Sequence, residues 1–464
     1  MRKRYLGLAI FVTGVAGCAV QQPASVEETI VEALPETTQI PLDYSGAANA
    51  ATGQVVDGWL ATFGDPELSA IVTEAIQNNL NLRAAVARVD AAAGFATQAG
   101  AELTPAVVAG GGGSAREGFS SSDPGLTSTG ASLNLSWELD IWGRVRSQAQ
   151  AGEAALEASQ YQLEWAYQSI AAQTAKVWFL VTEAKLQLDL AEDALALFQR
   201  TQELVDAKYQ QGQVTSRELA LARANVASGQ AVVRQARGAK QQASRALEVL
   251  LGRYPAASID GAEDLVATPP PVPVGLPSEL LERRPDLRAA ERAVAAQFLT
   301  IQTAQAARLP TVSLTAGAGT SSNELADVVS LGSDYWSVGG NFVAPIFTGG
   351  ALEAQVDIQE AGFQEALANY GNVALRAFSE VEQGLDNETL LRESEGYLRE
   401  VVAESSEALR VATAQFDVGK VDLLSVLQQQ AQVISAKVSL INMRDQRLQQ
   451  RVDLHLALGG SFDN

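Results

Sequence analysis

Four short stretches of the chain alternate apolar and polar residues with a period of two, which is typical of half-buried β-strands. The alternation is clear at residues 132–139, 311–320 and 336–344, and it is weakest at 107–113. Polar segments rich in glycine and serine separate the two strands of each pair. The pattern therefore predicts two pairs of neighbouring strands.

Segments rich in Ala, Gln, Glu and Leu surround these strands and predict α-helices. One helix is expected at 67–102 and another at 278–308, and Pro105 and Pro310 enforce extended geometry beyond their ends. The stretch from 147 to about 209 has few helix breakers and predicts a long helix within a helical hairpin. Small residues on several faces favour close packing against two neighbours over a two-stranded coiled coil.

The order helix, two strands, helical hairpin occurs twice along the chain. Leu82-Arg-Ala-Ala recurs at Leu287, and Leu251-Gly recurs at Leu458, so the spacing stays near 206 residues. A near-constant spacing indicates an internal duplication. The predicted organisation is a signal peptide at 1–17, an extended N-terminal segment at 18–65, a first repeat at 66–262, a proline-rich linker at 263–277 and a second repeat at 278–464.

The N-terminus has the features of a bacterial lipoprotein signal. Three cationic residues precede an apolar run at residues 5–16, which is too short to span a bilayer. Small residues end the run directly before Cys18, the only cysteine, as in a lipobox. This resemblance implies that Cys18 carries diacylglycerol and an N-acyl chain, and Ala19 favours the outer membrane. An ordinary signal with an incidental cysteine is the alternative.

Composition and charge disfavour several functions. The 464 residues include 54 Asp and Glu against 33 Lys and Arg, a formal charge of −21, whereas nucleic-acid binding needs clustered cations. One Cys and one His argue against multi-thiolate and His-rich metal sites. Without a nucleophile motif or phosphate loop, neither an enzyme nor a cofactor is expected. His455 is expected to be a packed residue or to face a helix C-terminus.

The predicted strands match the length and one-sided apolarity of transmembrane β-barrel strands. Four strands cannot close a barrel and open edges are not tolerated in lipid, so several chains must share one barrel. Two chains would supply eight strands and three would supply twelve. A small soluble sheet is the alternative. Aromatic residues near the strand ends fit interfacial girdles: Trp137, Trp142, Trp336, Phe342 and Phe347.

Several motifs together identify a family resemblance. They are Asp65-Pro-Glu-Leu, Asn81-Leu-Arg-Ala-Ala-Val-Ala-Arg, Trp137-Glu-Leu-Asp-Ile-Trp-Gly-Arg-Val-Arg, Leu281-Glu-Arg-Arg-Pro-Asp-Leu-Arg-Ala-Ala-Glu and Pro345-Ile-Phe-Thr-Gly-Gly. The chain resembles the TolC-like outer-membrane factors, in particular the NodT-type lipoproteins of resistance-nodulation-division efflux pumps, over nearly the whole mature chain.

The resemblance implies a mixed α and β membrane protein in the outer membrane with a large periplasmic portion. It implies a homotrimer with a twelve-stranded β-barrel, four strands per chain, continued by a long periplasmic α-helical barrel. The implied partners are a periplasmic adaptor protein and an inner-membrane pump, and small molecules would pass to the outside.

The turns of the two helical hairpins are expected to form the functional end. Glycine suits a left-handed turn, Thr215 with Glu218 fits a capping box, and Asp422 suits an N-cap. The resemblance implies that these tips surround the periplasmic entrance and contact the adaptor. The docking candidates are Gly212, Gln213, Val214, Gly419, Lys420 and Val421.

The entrance itself departs from the pattern of some relatives, which narrow it with a ring of aspartates. Ser425 and Gln428 occupy those positions here, and Phe416 stands where a gating tyrosine is found. Asp417 and Asp422 lie nearby and are candidates to replace the ring.

Two other functions fit part of the sequence. A type I protein-secretion duct is the nearest alternative, but the lipobox and the Arg283-Arg284-Pro285-Asp286 motif favour small-molecule efflux. A lipid-anchored periplasmic scaffold explains the helices and Cys18 but not the repeated strands. The arginine motif is expected to begin a helix, with an anion-binding pair as the alternative.

Overall fold

A computed structural model of the protein describes residues 20–46, 53–55, 57–116, 126–322 and 334–463. Cys18 and the signal peptide lie outside the described residues, as do most of the segments between the paired strands. None of the helices in the described ranges combines the length and the apolarity that crossing a membrane requires.

The described chain is helical with one four-stranded sheet, as expected. Its elements are α1 Val26–Ala33, α2 Trp59–Thr62, α3 Pro66–Asn78, α4 Leu80–Ala101, β1 Ala106–Arg116, β2 Leu126–Leu139, α5 Arg144–Gln210, α6 Ser216–Leu250, α7 Pro277–Arg283, α8 Pro285–Ala306, β3 Thr311–Ser322, β4 Asp334–Val343, α9 Ala351–Asp417 and α10 Leu423–Ala457. All four predicted strands are present, including the weakest, and the long helix is confirmed as α5.

The chain divides into two compact units. Unit 1 comprises Met1–Thr38, Ala87–Gln162 and Asp286–Val373, and it contains the sheet. Unit 2 comprises Gln39–Val86, Leu163–Pro285 and Ala374–Asn464.

The sheet of unit 1 is fully antiparallel in the order β1-β2-β3-β4. Leu135 of β2 pairs with Val107 of β1 and with Ala316 of β3, which in turn pairs with Val338 of β4. β1 and β4 are therefore the edge strands of this chain.

The first predicted helix, 67–102, is wrong as a continuous element because it breaks at Asn79, where the backbone is extended. The Asn79 carboxamide donates to the carbonyl of Leu250 (2.9 Å) and accepts from the backbone N–H groups of Asn81 (2.9 Å) and Leu82 (3.3 Å). One side chain thus satisfies the end of α6 and the start of α4, which compensates for the interrupted helix.

The helix predicted at 278–308 is likewise interrupted, at Arg284. The residue before a proline avoids helical geometry, and Arg284 accordingly adopts an extended conformation before Pro285. Its fully buried guanidinium donates to the carbonyl of Ala457 (3.2 Å), pairs with Glu380 (2.6 Å) and lies over the ring of Trp165.

The core of unit 2 is built from aromatic and aliphatic residues of α2, α3, α5, α6 and α10. Trp59 is fully buried and stacks on His455, whose ring lies 5.7 Å away. Burial, and then the positive charge of Arg451, lowers the pKa of His455 to about 3. His455 is therefore a neutral packed residue in the last turn of α10, which confirms the first of the two expectations.

The N-terminal segment predicted as extended contains a helix, α1. Ser25 and Glu28 form a capping box, in which each side chain accepts a hydrogen bond from the other's backbone N–H. Within unit 1 the end of α1 approaches Gly371 of α9 so closely that a Cβ there would lie 2.7 Å from the carbonyl oxygen of Ala33.

Candidate functional site

The strand register gives the sheet one apolar and one polar face. Successive side chains of a strand point to opposite faces, and paired residues share a face. The polar face consists mainly of serine, threonine, asparagine and glycine, with Val108, Tyr335 and Val343 among them. The apolar face contains Val107, Ala109, Leu133, Leu135, Trp137, Leu139, Val312, Leu314, Ala316, Ala318, Trp336, Val338 and Phe342.

This apolar face is open in the single chain. Trp336 on the edge strand β4 is 80% exposed, and Val338 and Phe342 are also exposed. An apolar patch of this kind marks a surface that contacts another apolar phase or protein. Each edge strand is paired on one side only within the described sheet, so its outer backbone groups remain available.

A polar corner connects the sheet to α5. The Asp140 carboxylate accepts the backbone N–H groups of Val145 and Arg146 (both 3.0 Å), which satisfies the start of the helix. Arg144 donates to both carboxylate oxygens of Glu138 (2.9 and 2.8 Å). Glu138, Asp140 and Arg144 therefore fix the end of β2 to the beginning of α5.

The first predicted tip joins α5 to α6 through a tight turn. Gly212 has a φ of 72°, and its N–H donates to the carbonyl of Tyr209 (2.9 Å). The N–H of Gln213 reaches back to the carbonyl of Lys208 (2.9 Å), which is the pattern of a Schellman motif.

The second predicted tip, between α9 and α10, has the same geometry. Gly419 has a φ of 74°, and its N–H donates to the carbonyl of Phe416 (3.1 Å). The N–H of Lys420 donates to the carbonyl of Gln415 (2.8 Å). The two turns match residue for residue, 207 positions apart.

Each tip ends in the predicted helix cap. Thr215 forms a capping box with Glu218, whose carboxylate accepts the Thr215 N–H at 2.7 Å. The Asp422 carboxylate accepts hydrogen bonds from the hydroxyl (2.7 Å) and the N–H (3.0 Å) of Ser425. These bonds, the hydroxyl first, lower the pKa of Asp422 from its ordinary value.

An apolar cluster lies beneath the two turns. Val205, Leu219, Ala222, Phe416, Leu423, Val426 and Leu427 form it, with Val214, Leu409 and Val421 packed against it. The turns are therefore held together by side chains from four helices, while Gly212, Gln213, Gly419 and Lys420 remain exposed above them.

The candidates for the entrance constriction separate into two groups. Phe416 is buried, and the ammonium of Lys208 lies 4.1 Å from the centre of its ring. Asp417, Asp422 and Gln428 are exposed, and Ser425 is half-buried.

No sequence motif predicts the exposure of two apolar residues at the second tip. Val418 is 69% exposed beside Gly419, and Leu424 is exposed in the first turn of α10. An apolar residue in such a sequence pattern is normally predicted to be buried. The geometry of the turn exposes these two residues instead.

The Arg283-Arg284 motif is engaged by protein groups rather than open to an anion. Arg284 is buried in the contacts described above, and Arg283 pairs with Asp57 and donates to the carbonyl of Gly459 (3.2 Å). Within the described ranges no group of three or more His, Cys, Asp or Glu residues is arranged to hold a metal ion.

Comparison with known proteins identifies relatives over nearly the whole chain. Residues 71–253 and 276–460 match the family described as outer membrane efflux protein. The pyoverdine export outer membrane protein OpmQ of Pseudomonas aeruginosa is 31% identical over 434 residues, covering 90% of each chain. The cation efflux system protein CusC of Escherichia coli K12 is 29% identical over 435 residues, covering 92% of this chain and 94% of that protein.

A solved structure has the same fold. The CmeC outer membrane channel of Campylobacter jejuni superposes with a TM-score of 0.87 at 26% identity, covering 93% of this chain and 94% of that chain.

The tip turn can be tested by two substitutions at Gly212, beside which a Cβ would meet open space. Asparagine tolerates the left-handed conformation, whereas valine does not, so Gly212→Val should weaken the turn by about 1–2 kcal/mol relative to Gly212→Asn. The measurement is the amide hydrogen-exchange rate of Gln213. Equal protection in the two variants would contradict the assigned geometry.

Proposed function

Because the chain belongs to the outer membrane efflux protein family, we propose that three copies assemble into an efflux channel with a shared twelve-stranded β-barrel. The chain is an outer-membrane efflux component with a large periplasmic portion, as its relatives are. Members of the family are transport components, so we propose that this chain takes part in transport rather than in catalysis.

The observation that supports the proposed barrel is the sheet with one apolar face and two open edges. Its strands contain 10–14 residues, long enough to cross the hydrocarbon core when tilted. Lipid cannot hydrogen-bond the outer groups of β1 and β4, so neighbouring chains must pair with them. Three chains supply twelve strands, and the polar faces then line the lumen.

The proposed internal duplication is supported by matched helix ends. Asn79 and Arg284 interrupt helices 205 residues apart, and their side chains donate to Leu250 and Ala457, which lie 207 residues apart. The family match also falls in two consecutive segments. We infer repeats at 66–262 and 278–464 joined by the linker 263–277.

The two tips are the proposed docking surface for a periplasmic adaptor that couples the channel to an inner-membrane resistance-nodulation-division pump. The pump would supply the energy, and small molecules would be the cargo. Exposed glycines permit close backbone approach, and Val418 adds an apolar contact that a partner could bury. The proposed contact residues are Gly212, Gln213, Val214, Val418, Gly419, Lys420 and Val421.

The proposed entrance constriction consists of the exposed polar residues near the second tip, namely Asp417, Asp422 and Gln428, with Ser425 beside them. Phe416 contributes by supporting these residues from the apolar cluster.

Lipid attachment at Cys18 is part of the proposal, with residues 1–17 removed as the signal peptide. Val20, two residues beyond Cys18, packs against a cluster that contains Ala151 and Leu299 in unit 1. The chain beside the proposed anchor is thus fixed to the folded protein.

A charge placed on either face of β3 tests the proposed barrel. Ala316→Lys places a cation on the apolar face at mid-strand, which should cost about 2–4 kcal/mol of stability in a bilayer. Thr315→Lys, one residue away on the polar face, should cost much less. The measurement is the urea dependence of folding into lipid vesicles. Equal losses for the two variants would contradict a lipid-facing assignment.

A charge at the tip tests the proposed docking. Val418→Asp alters an exposed side chain without entering the apolar cluster and should weaken adaptor binding at least about tenfold. Ethidium should then accumulate in cells that have this chain as their outer-membrane efflux channel. The matched control is Val31→Asp on α1, which is exposed to a similar extent but is not at a tip. Normal efflux by Val418→Asp would refute docking at this residue.

A further inference from the structure

A buried acidic residue lies on α10 within unit 2, and none of the roles above uses it. Asp445 of α10 is only 6% exposed. One carboxylate oxygen, Oδ2, accepts a hydrogen bond from the carboxamide of Gln449 (2.6 Å), one helical turn away. The other oxygen, Oδ1, is buried and makes no hydrogen bond to any described residue. An unsatisfied buried carboxylate oxygen is costly when it is charged.

A second carboxylate lies across the helix contact. Gln187 of α5 donates from Nε2 to Glu183 (2.8 Å) on its own helix and to the Oδ1 of Asn442 (2.6 Å) on α10. Glu183 is one turn from Gln187, and Asp445 is one turn from Asn442. Both acidic residues therefore lie one helical turn from the same interhelical hydrogen bond, on the side away from the tip. Because Nε2 has only two hydrogens, Gln187 has none left for Asp445.

Among the described residues no cation forms an ion pair with Asp445 or Glu183, and five cations of α5, α9 and α10 pair with other acidic residues. The pairs on α5, α9, α10 and residues 263–264 are Lys176 with Asp453, Lys185 with Glu263, Arg444 with Asp264, and Arg399 and Arg447 with Glu395. The charge of Glu183 thus acts on Asp445 across the contact, and neither carboxylate has an ion-pair partner.

We propose that Asp445 and Glu183 are a proton-binding pair, in which protonated Asp445 keeps α5 and α10 in contact and ionised Asp445 loosens that contact. Proton loss to water leaves a charge on the buried Asp445, which feels the charge of Glu183 and has no ion-pair partner. The pair is a property of the helix contact and does not depend on adaptor docking or on the number of chains.

The direction of the pH dependence follows from the environment of the carboxyl group. Burial, and then the charge of Glu183, raises the pKa of Asp445 from 3.8 to about 7, and burial also raises the pKa of Glu183. A carboxyl group with a raised folded-state pKa binds its proton more tightly in the folded protein. The helix contact should therefore weaken as the pH rises from about 4 to 7 and change little above that.

An infrared titration of the full-length protein in detergent micelles tests the proton site. A protonated-carboxyl band that disappears with a midpoint near pH 7 is expected in the native chain and should be absent in Asp445→Asn. Glu183→Gln should keep the band but lower its midpoint, because burial remains while the neighbouring charge is removed. Asp453→Asn, on the same helix but paired with Lys176, is the control and should leave the midpoint unchanged.

Hydrogen exchange tests the structural consequence. After correction for intrinsic rates, the amides at 442–449 of the native chain should exchange faster at pH 8.5 than at pH 5, by a factor of about ten or more. In Asp445→Asn the corrected rates at the two pH values should be equal. A native band with a midpoint near pH 4 would overturn the proposal. So would protection by millimolar Ca²⁺ at pH 8.5 that requires Asp445, because the site would then bind a cation. If Asp445→Asn fails to fold, Glu183→Gln still provides a test. An infrared carboxyl band with the native midpoint in that variant would overturn the proposal.

Discussion

The unpaired backbone of an edge strand is the constraint on which the rest of this account depends. The sheet has an apolar face suited to lipid, but β1 and β4 leave one row of N–H and C=O groups without partners in the described chain. In hydrocarbon each such group costs several kcal/mol, so a lone sheet of this kind is not stable there. Only closure with further strands removes both edges, and in the proposed assembly identical chains provide these strands. The proposed oligomeric assembly therefore follows from the chemistry of the sheet.

In the helical part of the chain, backbone groups at helix ends also need hydrogen-bond partners, and side chains supply them. The last carbonyl of α6 and that of α10 are each satisfied by a side chain at a helix break, a small amide at Asn79 and a guanidinium at Arg284. The guanidinium brings a charge into the core, and Glu380 and Trp165 compensate for it. Asp445 differs from Arg284 because it is buried without an ion-pair partner. Its pKa is raised instead, so the carboxyl group keeps its proton to a higher pH.

The sequence predicted those features that depend on local patterns. Alternation located the strands, and glycine with a following cap residue located both tips, because these geometries depend on neighbouring residues. The break at Asn79 was missed although the asparagine also caps α4 locally, and its other partner, the carbonyl of Leu250, is 171 residues away in the sequence. The break at Arg284 had a local indication in Pro285. The exposure of Val418 and the burial of Asp445 also depend on distant packing. Lipid attachment at Cys18 stays a prediction, because that residue lies outside the described ranges.

The central claim is that several chains close one barrel in the membrane, and the mass of the mature protein extracted from the outer-membrane fraction tests it most directly. Native mass measurement in detergent should give three chains, each with the added mass of the acyl groups on Cys18. A monomer or dimer released without detergent would contradict the claim, because the apolar face would then belong to a soluble sheet and the helices to a periplasmic scaffold.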